Sequence, residues 1–186
     1  MNEKINKIIQ ESIDTKSQLF TIIPEIESAI ELIYNSFKNS GKIVLFGNGG
    51  SAADSQHIAA EFIGKFLKPD LSLPALSLTT NTSTLTAIGN DFGFDKIFER
   101  QINVILKSDD IAIGISTSGN SKNVLNAIIA ANKIGAKTIG FTGKTGGELT
   151  KISTVSINIP SNSTQRIQEC HILIGHIICE LVESRF

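Results

Sequence analysis

The chain of 186 residues has no tryptophan, one tyrosine, one methionine, two cysteines and four prolines, and neither sign of charge is in excess. Each scarcity excludes something. Seventeen Lys and Arg against 18 Asp and Glu leave a net charge of −1, so no bulk electrostatic attraction toward nucleic acid is available. No apolar run approaches the roughly 18 residues of a membrane-crossing helix. The N-terminal MNEKINKIIQESID carries charges throughout and has no apolar signal core, so a soluble cytoplasmic protein is expected. Cys170 and Cys179 stand nine positions apart, a spacing that sets them on opposite faces of a helix. A mutual disulfide is therefore not expected, and a reducing compartment fits. With 41% hydrophobic residues, 15 glycines and few prolines, the chain is neither disordered nor collagen-like. Its length suits one domain with a core of its own.

What is present is periodic. Ile5, Ile8, Ile9 and Ile13, then Ile22, Ile26, Ile30, Ile33 and Phe37, recur at three- and four-residue intervals, which predicts two N-terminal helices separated at Pro24. Their apolar faces need cover, and packing against a second subunit, with residues 1–40 used in oligomerisation, is expected in preference to packing on the chain's own sheet. After Gly41 the texture changes to short strand-like runs: KIVLF (42–46), LPALSL (73–78), IAIGI (111–115), AKTIGF (136–141) and STVSINI (153–159). Helical patterns at about 51–65, 82–106, 120–134 and 164–184 alternate with them. Strand–helix alternation implies βαβ crossovers, hence an α/β three-layer sandwich on a five-stranded parallel sheet, flavodoxin-like, with residues 1–40 as a helical extension of a single domain, 1–186. In such a sheet ligands bind beyond the C-terminal strand ends, so the residues just after each strand matter most.

Gly47-Asn48-Gly49-Gly50-Ser51-Ala52 follows the first strand and satisfies G-x-G-x-x-A, the dinucleotide fingerprint. That fingerprint also needs an acidic residue about 20 positions on, where this chain has Ser77-Leu78-Thr79-Thr80-Asn81. No nucleotide cofactor is expected. Ser116-Thr117-Ser118-Gly119-Asn120-Ser121 follows the third strand at a predicted helix start. One hydroxyl suffices for an N-cap; four, joined to free N–H groups, suit a phosphate dianion. Thr142-Gly143-Lys144-Thr145 ends like a P-loop, but Thr138 stands where that loop needs glycine, so an ordinary turn bordering the site is expected.

Together, GNGGSAADSQHIAAE (47–61), GNDFGF (89–94), GISTSGNS (114–121), TGKTGG (142–147) and RIQECHILIGHIICE (166–180) make the chain resemble the sugar isomerase (SIS) domain family and, within it, the phosphoheptose isomerases. The resemblance covers nearly the whole chain. It implies a homotetramer with active sites near subunit interfaces, a phosphorylated seven-carbon sugar as substrate, a zinc ion in each subunit, and a place in heptose synthesis for lipopolysaccharide core or capsule. By the same resemblance Ser51, Ser116, Thr117, Ser118 and Ser121 hold the phosphate. Asn48, Gly49, Gly50, Asn90, Asp91 and Gln168 line the sugar, and His57, Glu61, Gln168 and His176 can hold the metal.

Each of these residues also has a plainer reading. His57 and Glu61, four apart on one helix face, would serve as a surface pair; His176, within ILIGHII, as a core histidine; Gln168 as a solvated helix residue; Asp91 as a turn-forming aspartate. The family's chemistry instead makes Glu61 the base and His176 the general acid of a ketose–aldose isomerisation through an enediol(ate), with Glu61 acting as free base, metal ligand or both in turn. Gln168 and His176 are eight residues apart, about 12 Å along an ideal helix, so both lean inward or different subunits contribute. One departure stands out: the family often has Asp before R-I-Q, where this chain has Gln165. Two other readings remain open: a non-catalytic SIS protein that binds phosphosugar or accompanies a replication initiator, and isomerase chemistry on a shorter sugar.

Overall fold

Alternate side chains of a strand face opposite ways, and the first strand shows why two helical layers follow. The computed structural model describes residues 1–186, and in it β1 (Ile43–Gly47) sends Ile43 and Leu45 into one apolar core and Val44 and Phe46 into another. Four more strands, β2 (Ala75–Ser77), β3 (Ile111–Ile115), β4 (Lys137–Thr142) and β5 (Val155–Asn158), complete a parallel sheet in the order β2-β1-β3-β4-β5. The sheet is covered on both faces, as a parallel sheet requires, and the expected five-stranded three-layer α/β architecture is what the chain adopts.

One face carries α2 (Ile23–Lys38), α3 (Gly50–Ile63) and α8 (Thr164–Glu183); the other carries α5 (Glu99–Ile105), α6 (Lys122–Ile134) and α7 (Gly147–Ile152). The strand order reverses between β1 and β3, where Gly47 lies opposite Ile115. The loops that follow these two residues therefore start side by side. At the opposite edge of these strands Asp110, buried, accepts from the backbone N–H groups of Lys42 (2.9 Å) and Lys107 (2.8 Å) and pairs with Lys42 Nζ at 2.5 Å. One carboxylate thus ties the starts of β1 and β3 together.

The two N-terminal helices part ways, and α2 departs from the expected packing on a second subunit. Helix α2 buries Ile26, Ala29, Ile30, Ile33 and Phe37 against the chain's own sheet. Helix α1 (Asn2–Ser17) leans on α8 through Ser12 Oγ to Glu169 (2.7 Å) and Arg166 Nη1 to the Ile8 carbonyl (2.7 Å). It leaves Ile5, Ile8, Ile9 and Ile13 each about half exposed. Pro24 opens the first turn of α2, where its missing N–H costs nothing, and the break itself is a 3₁₀ turn at Gln18–Ile22.

Two helical assignments change. The expected helix at 82–106 is broken into α4 (Thr82–Phe92), a 3₁₀ turn (Phe94–Lys96) and α5, because Gly93 takes φ of +95°, outside the helical region. Helix α7, one and a half turns between β4 and β5, was not expected; its six residues are too few to show a period. No helix is long and apolar enough to cross a membrane. Cys170 and Cys179 are buried and free.

Candidate active site

Gly49, in the turn after β1, has φ of +55° and open space where a side chain would be, so the backbone is bare to an incoming molecule. At Gly50 a Cβ would lie 2.5 Å from Gln168 Nε2, so glycine lets α8 bring its carboxamide onto the start of α3. Asn48 is held by a reciprocal amide pair: its Nδ2 donates to Asn123 Oδ1 at 2.9 Å and Asn123 Nδ2 returns the bond at 2.8 Å. Buried Asn123 was not singled out in the sequence, although its place just after GNSK, in the first turn of α6, was a signal. Ser51 is buried at the base of the same turn.

Beside it, the loop after β3 gathers its hydroxyls. Ser116 Oγ lies 2.9 Å from Ser121 Oγ and 3.5 Å from Ser118 Oγ. Ser121 is the N-cap of α6 by position, but its side chain caps no N–H; Asn123 Oδ1 takes the Val124 N–H instead at 2.9 Å. The hydroxyls are therefore not consumed by capping, and the helix opens with backbone donors suited to an anion. Gly119, with φ of +67°, packs so tightly on the loop ahead of α7 that a Cβ would sit 2.0 Å from the Gly146 carbonyl oxygen. Leu149 N–H donates to the Gly119 carbonyl (3.0 Å) and Glu148 N–H to Asn120 Oδ1 (3.1 Å). The unforeseen α7 is thus what clamps the hydroxyl loop.

The chemistry-bearing side chains meet where α3 and α8 run side by side. The pair is drawn close by Gly175, where a Cβ would lie 2.6 Å from Ile58 Cδ1. His57 Nε2 lies 3.0 Å from Glu61 Oε1, and the His57 and His176 rings are 5.0 Å apart between centroids. One ligand atom from each of His57, Glu61 and His176 falls within 4.8 Å of the others, all in one chain. His176 Nε2 is buried without a hydrogen-bond partner, and a buried imidazole nitrogen left unpaired is costly unless something binds it. Two imidazoles and a carboxylate form a donor set suited to a divalent transition metal. Gln168 sits two turns earlier, at Gly50, so three of the four expected ligands converge and the fourth lies toward the β1–α3 turn.

Asp54 is a further resident that the sequence reading passed over. It lies one turn before His57 and one turn after Gly50 on α3; the signal was its i, i+3 spacing from His57. Its Oδ2 is buried and unpartnered, and burial pushes its carboxyl up to about 6, with His57 pulling the other way. His171, on the same helix as His176, is the core histidine of the pair: it is fully buried, its Nε2 lies 3.1 Å from the Thr142 carbonyl, and burial lowers its pKa to about 4.

Asn90 and Asp91 are placed differently from the expectation. They form the last turn of α4 rather than a loop, and both are exposed, with Asn90 Nδ2 donating to Asp91 Oδ1 at 2.8 Å. Asp91 lines a separate cleft of about 570 Å³ between α4 and α5. The departing Gln165 is exposed at the start of α8 and accepts from Ser163 Oγ at 3.1 Å.

Comparison with known proteins points to one family and one fold. The family model described as SIS domain matches residues 3–143. The phosphoheptose isomerase of Aquifex aeolicus is 50% identical over 185 residues, covering 99% of this chain and 97% of that protein, so α8 and its histidines lie within the match. The solved structure of phosphoheptose isomerase GmhA from Neisseria gonorrhoeae superposes with a TM-score of 0.93 at 42% identity over 98% of both chains. That of a phosphoheptose isomerase from Francisella tularensis gives 0.94 at 34% identity over 98% of this chain and 97% of that one.

Proposed function

As a member of the SIS domain family and, within it, of the phosphoheptose isomerases, the chain is an aldose–ketose isomerase, and we propose that it converts sedoheptulose 7-phosphate to D-glycero-D-manno-heptose 7-phosphate. The observation that carries this reading is the convergence of His57 and Glu61 of α3 with His176 of α8, with the hydroxyl cluster of the β3 loop at the strand end adjoining the β1 turn. A phosphate held at Ser51, Ser116, Thr117, Ser118 and Ser121 leaves the other end of an extended sugar to lie along α3 and α8.

There Glu61 takes a proton from C1 while His176, as general acid, protonates the C2 oxygen to give the enediol; loss of the O1 hydrogen and return of a proton to C2 then leave the carbonyl at C1. Asn48, Gly49, Gly50 and Gln168 line the path between the two ends and orient the hydroxyls. His57, Glu61 and His176, joined by Gln168, would hold a zinc ion. Polarisation of the carbonyl and relief of enediolate charge are the chemistry zinc supplies when bound. With zinc bound, Glu61 would serve as ligand and base in turn.

The proposal extends to assembly. The half-exposed isoleucines of α1 favour a homotetramer, and the exposed position of Asn90 and Asp91 favours their serving a neighbouring subunit's site. The reaction would open heptose synthesis for lipopolysaccharide core or capsule, in the cytoplasm, where free buried cysteines persist.

The test is purified protein incubated with sedoheptulose 7-phosphate, with and without added zinc, followed by aldose formation. Turnover supports the reading. Binding without turnover under either condition points to a non-catalytic phosphosugar-binding protein, and faster turnover of a pentose or hexose phosphate would overturn the substrate assignment.

A further inference from the structure

Of the segments singled out in the sequence, Thr142-Gly143-Lys144-Thr145 has no part in the chemistry above, yet its backbone is built into the phosphate loop. Gly143 N–H donates to the Thr117 carbonyl at 3.0 Å, and Lys144 N–H donates to the Ser161 carbonyl at 3.0 Å. Gly143 approaches so closely that a Cβ would stand 2.5 Å from Ile167 Cδ1 and 2.7 Å from the Thr117 carbonyl oxygen, so the loop's path is fixed against both neighbours. The stitching leaves a cavity of about 200 Å³ with Thr117 and Ser118 on one side and Lys144, Ser161 and Thr164 on another.

Lys144 is the only ionisable side chain lining that cavity, and no carboxylate approaches it within 4.0 Å. The remaining polar groups there are hydroxyls and one carboxamide. The hydroxyl cluster itself, Ser116, Thr117, Ser118 and Ser121, contains no cation. A phosphate with two negative charges would meet only dipoles on that side, while Lys144, which has no ion-pair partner, lines the same cavity as Thr117 and Ser118 from the next loop.

We infer that Lys144 is the cation that neutralises the substrate's phosphate, reaching from the β4–α7 loop across the cavity it shares with Thr117 and Ser118, and so selects phosphorylated over free sugar. The inference rests on the phosphosugar reading and adds to it a residue outside the hydroxyl loop. Lys144 is exposed, so its replacement leaves the core untouched. An ammonium also favours the dianion over the monoanion of the phosphate, whose second pKa is about 6.

The experiment compares the wild type with Lys144→Met and Lys144→Arg, on sedoheptulose 7-phosphate, on unphosphorylated sedoheptulose, and with inorganic phosphate as competing ligand. For Lys144→Met the expected result is a KM raised roughly tenfold at unchanged kcat, the fold-change of one hydrogen bond to a charged group. Inorganic phosphate should inhibit it more weakly by the same factor, added salt should raise its KM less than that of the wild type, and Lys144→Arg should restore most of the loss. Equal KM and equal phosphate inhibition in wild type and Lys144→Met would overturn the inference, as would an equal loss on phosphorylated and free sugar. If the wild type neither turns over the heptulose phosphate nor binds inorganic phosphate, the phosphosugar reading itself fails, an outcome separable from failure of Lys144 alone.

Discussion

His171 should make the folded protein sensitive to acid. Its Nε2 faces the Thr142 carbonyl, which can only accept, so Nε2 carries the hydrogen and the buried Nδ1 is left with an unpartnered lone pair. Protonating Nδ1 would place a charge in the core, and burial accordingly lowers the pKa from 6.5 to about 4. A base with a depressed folded pKa binds its proton first in the unfolded state, so its contribution to stability is intact above about pH 6.5 and is lost as pH falls toward 4. At 1.36 kcal/mol per pH unit the whole loss is about 3 kcal/mol, and between about pH 7.5 and 4.5 it is about 2.5 kcal/mol.

Asp54 works against it. Its carboxyl, raised to about 6, is better protonated in the folded state and favours folding as pH falls over part of that range. The wild-type profile alone would therefore mix the two effects, and a variant isolates the histidine. His171→Gln keeps an N–H for the Thr142 carbonyl and removes the titration. Urea unfolding at one fixed protein concentration, at several pH values, should show the stability gap between wild type and variant shift by about 2.5 kcal/mol in the variant's favour from about pH 7.5 to 4.5. Parallel profiles would refute the reasoning.

Glu61→Gln should lower kcat by about 10²–10⁴, the usual worth of a positioned base, while calorimetry still detects phosphosugar binding; an undiminished rate would reject Glu61 as the base. Gly50→Ala places a Cβ against the Gln168 carboxamide; the flexible side chain gives way, so thermal stability should change little while kcat/KM falls, and an unaltered kcat/KM would remove Gln168 from the substrate path. Asp110→Ala strands the Lys42 and Lys107 N–H groups and should cost about 3 kcal/mol in denaturant unfolding, with little effect on KM.

The five strands were legible because their short apolar runs sit between clear helical periods, and the parallel order followed from the alternation. The break at Gly93 was hidden because the apolar rhythm of 82–106 runs through a glycine that an intact helix would also tolerate. Helix α7 was too short to have a rhythm. In the site, the four-residue spacing of His57 and Glu61 said only that they share a helix face, and the resemblance singled them out; the hydroxyl loop was marked by its excess over a cap. The pairing of Asn48 with Asn123, 75 residues apart, exists only once β1 and β3 lie side by side, and local sequence carries no sign of it. The burial of Asp54 Oδ2 was hidden as well, because it exists only once α3 is packed in the fold. The sequence distinguished His171 from His176 only by resemblance; packing shows one bonded through Nε2 to a carbonyl in the core and the other close to a carboxylate and an imidazole.

The central claim is that Glu61 moves a proton between solvent and C1 of a sugar anchored by its phosphate. The direct measurement is proton NMR of sedoheptulose 7-phosphate turned over in D₂O by wild type and by Glu61→Gln. The account predicts solvent deuterium at C2 of the aldose and at C1 of the recovered ketose with the wild type, and neither with the variant. Aldose formed at full rate by the variant, or formed by the wild type with its C2 hydrogen carried wholly from C1, would contradict it.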